Sequence, residues 1–232
     1  MSRILSRLCL PLLVLSFLGA APALAGALDG ISGGEASSGL KEALGKGADF
    51  AVSTLGKDNG FLGNPKVKIG LPDSLKTAEK AMRTFGMGKQ ADELVDTMNH
   101  AAENAVAEAK PILTDAIKKM TVQDAKAILT GGDDSVTQFF KRSTSDQLTV
   151  KFKPIVKNAT QKVALADKYN KFAGKAAKTG LIDQKDADLD SYVTQKAMDG
   201  LFLMIAEKEK EIRANPLGAG SSLLGKVFGA LK

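Results

Sequence analysis

Leu201-Phe202-Leu203-Met204-Ile205 lies inside a helical stretch from Leu189 to Arg213, and five consecutive apolar residues leave that helix without a polar side at its middle. A helix that is apolar all round needs neighbours on every side. The stretch is therefore expected at the centre of an all-α bundle, with the rest of the chain wrapped around it. It is not a membrane span: after residue 26 the longest unbroken apolar run is Leu201 to Ala206, far below the ~20 residues that crossing a bilayer requires.

The wrapping helices announce themselves by apolar residues three or four apart. Leu40, Leu44, Ala48, Ala51 and Leu55 share one face, with Ser37 or Ser38 as the cap, and predict a first helix to about Leu55. Leu75, Ala78, Met82 and Phe85 predict a second. Ala91, Leu94, Met98, Ala101, Ala105 and Ala109 predict a third, ending near Pro111. Thr121 with Asp124 and Thr144 with Gln147 read as capping boxes that start new helices. Gly131 and Gly180 stand where a helix end favours a left-handed residue. Further helices are expected over Thr121 to Thr130, Asp134 to Arg142, Ser145 to Val163 (kinked by Pro154) and Ala164 to Lys178. Between the first two helices, GKDNGFLGNPKVKIGLP (56–72) is rich in glycine and proline, and its Val67, Ile69, Leu71 alternation suggests a short extended piece. The expected fold is thus a single bundle of about eight to ten helices with one Gly/Pro-rich loop.

Both ends read differently. Arg3 and Arg7, an apolar run from Leu8 to Leu18, and Ala23-Leu24-Ala25 have the layout of a secretory signal peptide cleaved after Ala25, which predicts a periplasmic protein. The one cysteine, Cys9, falls inside that leader, so the exported chain is expected to form no disulfide and to rest on packing alone. The arginine at position 7 disfavours Cys9 as a lipid attachment site. Residues 26–36 read as a flexible leader and 37–214 as the helical domain. Residues 215–232 read as a Gly/Ser linker and an amphipathic end with Leu223, Leu224, Val227, Phe228 and Leu231 on one stripe.

Three segments, GFLGNPKVKIGLP, ILTGGDDSVTQFFKRSTSDQL and KAMDGLFLMIAEKEKEIRANP, make the chain resemble an exported bacterial family, the domain of unknown function numbered 4197. The resemblance extends from about Leu40 to Leu231. It implies an envelope protein of mainly Gram-negative bacteria and a helical fold, and it implies no activity or catalytic residue.

Several short motifs carry no chemistry in this setting. Ser38-x-x-Lys41 and Lys178-Thr179-Gly180 match a penicillin-recognising pattern, but that chemistry needs a strand edge and the chain has no expected sheet. Gly30-x-Ser32-x-Gly34 lies in the leader, and the phosphate-loop match at Gly220 to Lys226 has Val227 where magnesium needs a hydroxyl. Asp183, Asp186, Asp188 and Asp190 lack the glycine and glutamate of an EF-hand and read as a solvated helix start. His100, the only histidine, has no cysteine to complete a usual zinc site and reads as a helix-surface residue. Asp133 and Asp134 read as a helix cap. No catalytic residue, metal site or cofactor is expected.

Charge placement is more informative. The chain carries a formal +6, and residues 141 to 178 hold ten lysines and arginines against only Asp146 and Asp167. Lys168, Lys171, Lys175 and Lys178 line one flank of a helix whose apolar stripe is Leu165, Tyr169, Phe172 and Ala176. These four lysines and the C-terminal stripe are the candidate binding residues, for anionic lipid headgroups or an acidic envelope partner. Few aromatic residues interleave with them, which speaks against nucleic acid. The sequence therefore points to a non-enzymatic periplasmic protein binding a lipid-like or anionic envelope ligand, with at most peripheral membrane contact. A protein-interaction or scaffolding module is the alternative, and a hydrolase the second.

Overall fold

The computed structural model describes residues 33–86, 88–178 and 188–215. Within them the chain is helical: α1 Gly33–Leu55, a 3-10 turn Asp73–Leu75, α2 Lys76–Thr84, α3 Gly88–Ala107, α4 Lys110–Lys119, α5 Val122–Thr130, α6 Ser135–Thr160, α7 Ala164–Lys178 and α8 Leu189–Ala214. No β-strand occurs among the described residues.

The long helices assemble through apolar stripes. On α1, Leu40, Leu44, Ala51 and Leu55 are fully buried, and α1 packs chiefly on α8 and α4. On α3 the buried row runs Ala91, Leu94, Met98, Ala101, Ala102, Ala105, Val106. Its alanines let α6 and α8 approach closely. As expected, α8 meets several neighbours, namely α6, α1, α3 and α7. It is not covered all round: Leu201, Phe202, Met204 and Ile205 are buried, but Leu203 is 41% exposed. Each fully buried Leu, Phe or Met contributes about 1.5–3 kcal/mol of hydrophobic stabilisation, and Phe61, Phe140 and Phe152 are the largest of these.

The structure corrects several boundaries. α1 begins at Gly33, so part of the expected flexible leader is helical. The helices expected over Asp134 to Arg142 and Ser145 to Val163 are one helix, α6, which contains Pro154 and removes one member from the expected set. Thr144 does not cap a helix; its hydroxyl donates to the Phe140 carbonyl one turn back. Pro111 opens α4 as well as closing off α3, because a first-turn proline loses no helical hydrogen bond. Gly131 is extended (φ −85°, ψ 175°), not left-handed. Phe85, assigned to the apolar stripe of α2, is 77% exposed. The Thr121/Asp124 capping box is present, with both reciprocal backbone bonds at 3.1 Å.

The loop 56–72 is built into the core. Phe61 is fully buried against α8, where Gly200 makes room for it: a Cβ on Gly200 would lie 2.7 Å from Phe61 Cε1 and 3.0 Å from Cζ. Real side-chain carbons do not approach that closely, so this helix glycine is required by packing. The alternation read in the sequence is real in burial. Val67, Ile69 and Leu71 face inward and Lys68 and Gly70 outward, but the segment belongs to no sheet.

Candidate functional site

Two polar residues on the apolar face of α3 hold this loop. Asn99 is fully buried; its Oδ1 accepts from Ile69 N at 2.8 Å and its Nδ2 donates to Ile69 O at 2.8 Å and Val95 O at 2.7 Å. One helical turn on, Glu103 is 3% exposed, and its Oε1 accepts from Phe61 N at 2.9 Å and Leu62 N at 3.1 Å. The loop's buried backbone groups, which would otherwise lose water without replacement, are satisfied by side chains instead of a ladder.

The second oxygen of Glu103 lies 2.7 Å from His100 Nδ1. His100 is thus an oriented histidine at the rim of a 450 Å³ cleft lined by Asp58, Asn59, His100, Glu103 and Asn104, rather than mere decoration of a helix. Asn59 there has φ 61°, the one positive φ of a non-glycine residue among those described. A carboxylate-oriented imidazole is one element of acid/base machinery, but no serine, threonine or cysteine lines this cleft.

A second cleft lies on the other side of the loop. Its walls are Gly70, Leu71, Asp73 and Lys76 on one side and Tyr192, Gln195, Lys196 and Asp199 of α8 on the other, enclosing 520 Å³. It continues past Lys66, Lys68 and Leu203. Tyr192 Oη donates to the Gly70 carbonyl at 3.1 Å, Lys196 Nζ sits 5.7 Å from the Tyr192 ring centroid, and Lys66 pairs with Glu207 at 2.6 Å. The partners of the loop come from α3 and α8, 30 to 141 residues away in sequence, so no local motif marks them. The one available signal was a buried-face Asn and Glu one turn apart on α3.

The candidate residues chosen from sequence fall elsewhere. Lys168, Lys171 and Lys178 are exposed on α7, and their spacing puts them opposite the buried Ala166, Tyr169 and Ala173. The backbone of Lys175 follows the same helix, and its side chain lies outside the described part. Leu223, Leu224, Val227, Phe228 and Leu231 lie outside the described residues, as do Thr179, Gly180, Asp183, Asp186 and residues 1–32. The basic region is also less uniform than its composition. Arg142 pairs with Asp124 at 3.1 Å, Lys151 with Glu108 at 3.0 Å and Lys153 with Asp188 at 3.6 Å. Lys157, Lys162, Lys168, Lys171 and Lys178 make no ion pair among the described residues.

Residues 30–229 match the family described as a protein of unknown function, DUF4197. The chain belongs to that family. No curated protein and no solved structure matches it. The DUF4197 match takes in every described helix and both clefts, so loop, clefts and basic face are parts of one family unit. Among the described residues of this DUF4197 protein, no three His, Cys, Asp or Glu side chains are placed to hold a metal ion, and no helix is long and apolar enough to cross a membrane. The apolar void between α1, α6 and α8 in the DUF4197 core, lined by Ala43, Gly47, Val136, Ile205 and Ile212, measures only 10 Å³, about the room of one water molecule.

The acidic start of α8 in the DUF4197 unit also differs from the solvated cluster expected. Asp188 caps the helix, accepting from Asp190 N at 3.2 Å, whereas Asp190 is 7% exposed and accepts from the Thr160 hydroxyl. Burial holds the Asp190 carboxyl above its ordinary 3.8, with Asp188 adding to the shift and the Thr160 hydrogen bond opposing it. The folded state therefore binds this proton more tightly than the unfolded chain. The resulting stabilisation is full below pH 3.8 and is lost as pH rises through the folded value. Asp190→Asn removes that linkage. Its stability relative to the wild type is expected to rise between acid and neutral pH in urea titrations, and a difference independent of pH would refute the assignment.

Proposed function

We propose that this protein is exported to the periplasm and there docks, without catalysing a reaction, on an anionic envelope surface through α7 and the adjoining end of α6. The observation that carries the reading is the row of exposed lysines that make no ion pair among the described residues, Lys157, Lys162, Lys168, Lys171 and Lys178, beside Arg142, Lys151 and Lys153, which are neutralised by Asp124, Glu108 and Asp188. Unpaired cations on a solvent face are free to meet headgroups without first breaking an internal bond. The signal-peptide layout of residues 1–25 supports the periplasmic setting. The 10 Å³ void between α1, α6 and α8 is far too small for an acyl chain, which favours contact with headgroups.

Each basic residue held near an anionic bilayer contributes about 1 kcal/mol of binding. The full chain is expected to co-sediment with phosphatidylglycerol/phosphatidylethanolamine vesicles and not with purely zwitterionic ones. Lys168→Gln together with Lys171→Gln should weaken that association by about 30-fold, and the corresponding Lys→Glu pair by more, with the remainder abolished by raising salt. Equal binding to both vesicle types, or no effect of the double substitution, would remove this reading.

A further inference from the structure

The segment Val67 to Leu71 has the burial pattern of a sheet strand, with one edge filled and two backbone groups left over on the other. On the filled edge, Asn99 exchanges two hydrogen bonds with Ile69, donating to its carbonyl and accepting from its amide. A neighbouring strand would supply that same pair of bonds. In an extended chain the polar groups of residues 68 and 70 point away from those of residue 69. The Gly70 carbonyl meets Tyr192 Oη at 3.1 Å, which places this second edge on the α8 side, along the 520 Å³ cleft. On this edge the Lys68 amide donates back to the Asn64 carbonyl at 2.9 Å, whereas the Gly70 amide and the Lys68 carbonyl make no hydrogen bond among the described residues. Gly70 is exposed, and a Cβ built on it meets nothing within 4 Å, so the outer face of the segment is uncovered there.

The walls state what kind of chain would fit. Lys68 on the loop and Lys196 on α8 face the cleft and make no ion pair among the described residues, Lys196 lying over the Tyr192 ring. Lys66 and Lys76 are balanced by Glu207 and Asp73 at the two ends, and Asp199, which accepts from Gln195 at 2.9 Å, keeps its own negative charge. Two lysines thus face one carboxylate, a positive excess next to the half-exposed apolar Leu203. We propose that this cleft binds an extended acidic segment of a partner protein, which adds as a second strand on the open edge at Lys68 to Gly70 with carboxylates toward Lys68 and Lys196. Backbone pairing would supply affinity and the alternate side chains selectivity. The inference does not depend on the basic face of α7.

Fluorescence anisotropy with the full chain and a labelled octapeptide of alternating valine and glutamate tests it. The peptide is expected to bind saturably, and the alternating valine and lysine peptide is not. Methylating alternate backbone nitrogens of the Val-Glu peptide, which keeps its charge but blocks strand pairing, should weaken binding at least tenfold. Lys68→Glu with Lys196→Glu, both at the surface, should do the same, while Lys168→Glu with Lys171→Glu should leave binding unchanged. No saturable binding, equal binding of the methylated peptide, equal affinity for free glutamate, or sensitivity only to the α7 substitutions would overturn the proposal.

Discussion

Replacing Glu209 by alanine is expected to lower the free energy of unfolding by about 3–5 kcal/mol, because it strands three donors and takes a buried carboxylate from beside a cation. Glu209 is 4% exposed near the end of α8, yet it completes the start of α6. Its oxygens accept from Val136 N at 2.9 Å, Thr137 N at 3.0 Å and Thr137 Oγ1 at 2.9 Å. These are first-turn amides, and the residue at the usual capping position, Asp134, makes no capping bond of its own. Glu209 also balances Arg213, 3.1 Å away, whose guanidinium reaches Ser135 Oγ at 2.6 Å and the Ile128 carbonyl at 3.2 Å. Alanine would leave the three donors unsatisfied and remove the carboxylate 3.1 Å from the poorly solvated Arg213. Glu209→Gln keeps one acceptor and should cost less, roughly 1–3 kcal/mol. Urea denaturation followed by circular dichroism measures both. A loss below about 1 kcal/mol for the alanine variant would show that water replaces the carboxylate, contrary to its burial.

Glu103→Ala is the second substitution of this size, and its effect should be partly local. The carboxylate serves the amides of Phe61 and Leu62 and the ring of His100 at once. Losing it leaves two amides in a region where Phe61 is fully buried, at a cost of about 2–4 kcal/mol. Because the loop is also held by Asn99 and by the fit of Phe61 over Gly200, the first consequence is opening of 56–64 rather than melting of the bundle. Hydrogen exchange distinguishes the two. The Phe61 and Leu62 amides should exchange at least a hundredfold faster while Leu94 and Phe140 in the helices change less. Uniform acceleration at all four positions would mean that the loop and the helices open as one unit.

The helices were legible because their stripes are local. Leu40 to Leu55 and Ala91 to Ala105 recur every three or four residues, and burial follows that recurrence. The join inside α6 was misread for a related reason. Thr144 and Gln147 carry the side chains of a capping box, but the buried row Phe140, Thr144, Leu148, Phe152, Val156 continues through them without a break. Packing of that row outweighs the local preference of serine and threonine for helix ends. The clefts could not be read from neighbours in the chain. Asn99, Glu103 and Tyr192 each sit in an ordinary helical context, and only the folded chain brings them to residues 61 to 70. The basic stretch was visible as composition, while its division into paired and unpaired cations depends on Glu108, Asp124 and Asp188, which lie on other elements.

The dependence of so many elements on α8 fixes an order of events. Gly200 seats Phe61, Tyr192 ties down Gly70, Glu207 reaches Lys66 and Glu209 finishes α6, so residues of α8 complete contacts of residues made long before them. Until α8 has emerged, a nascent chain can form single helices but cannot close the bundle, because the surfaces α1, α3 and α6 turn toward α8 have nothing to cover them. The helices before α8 are thus parts of a bundle that one later helix closes, and damage to α8 should open them all together.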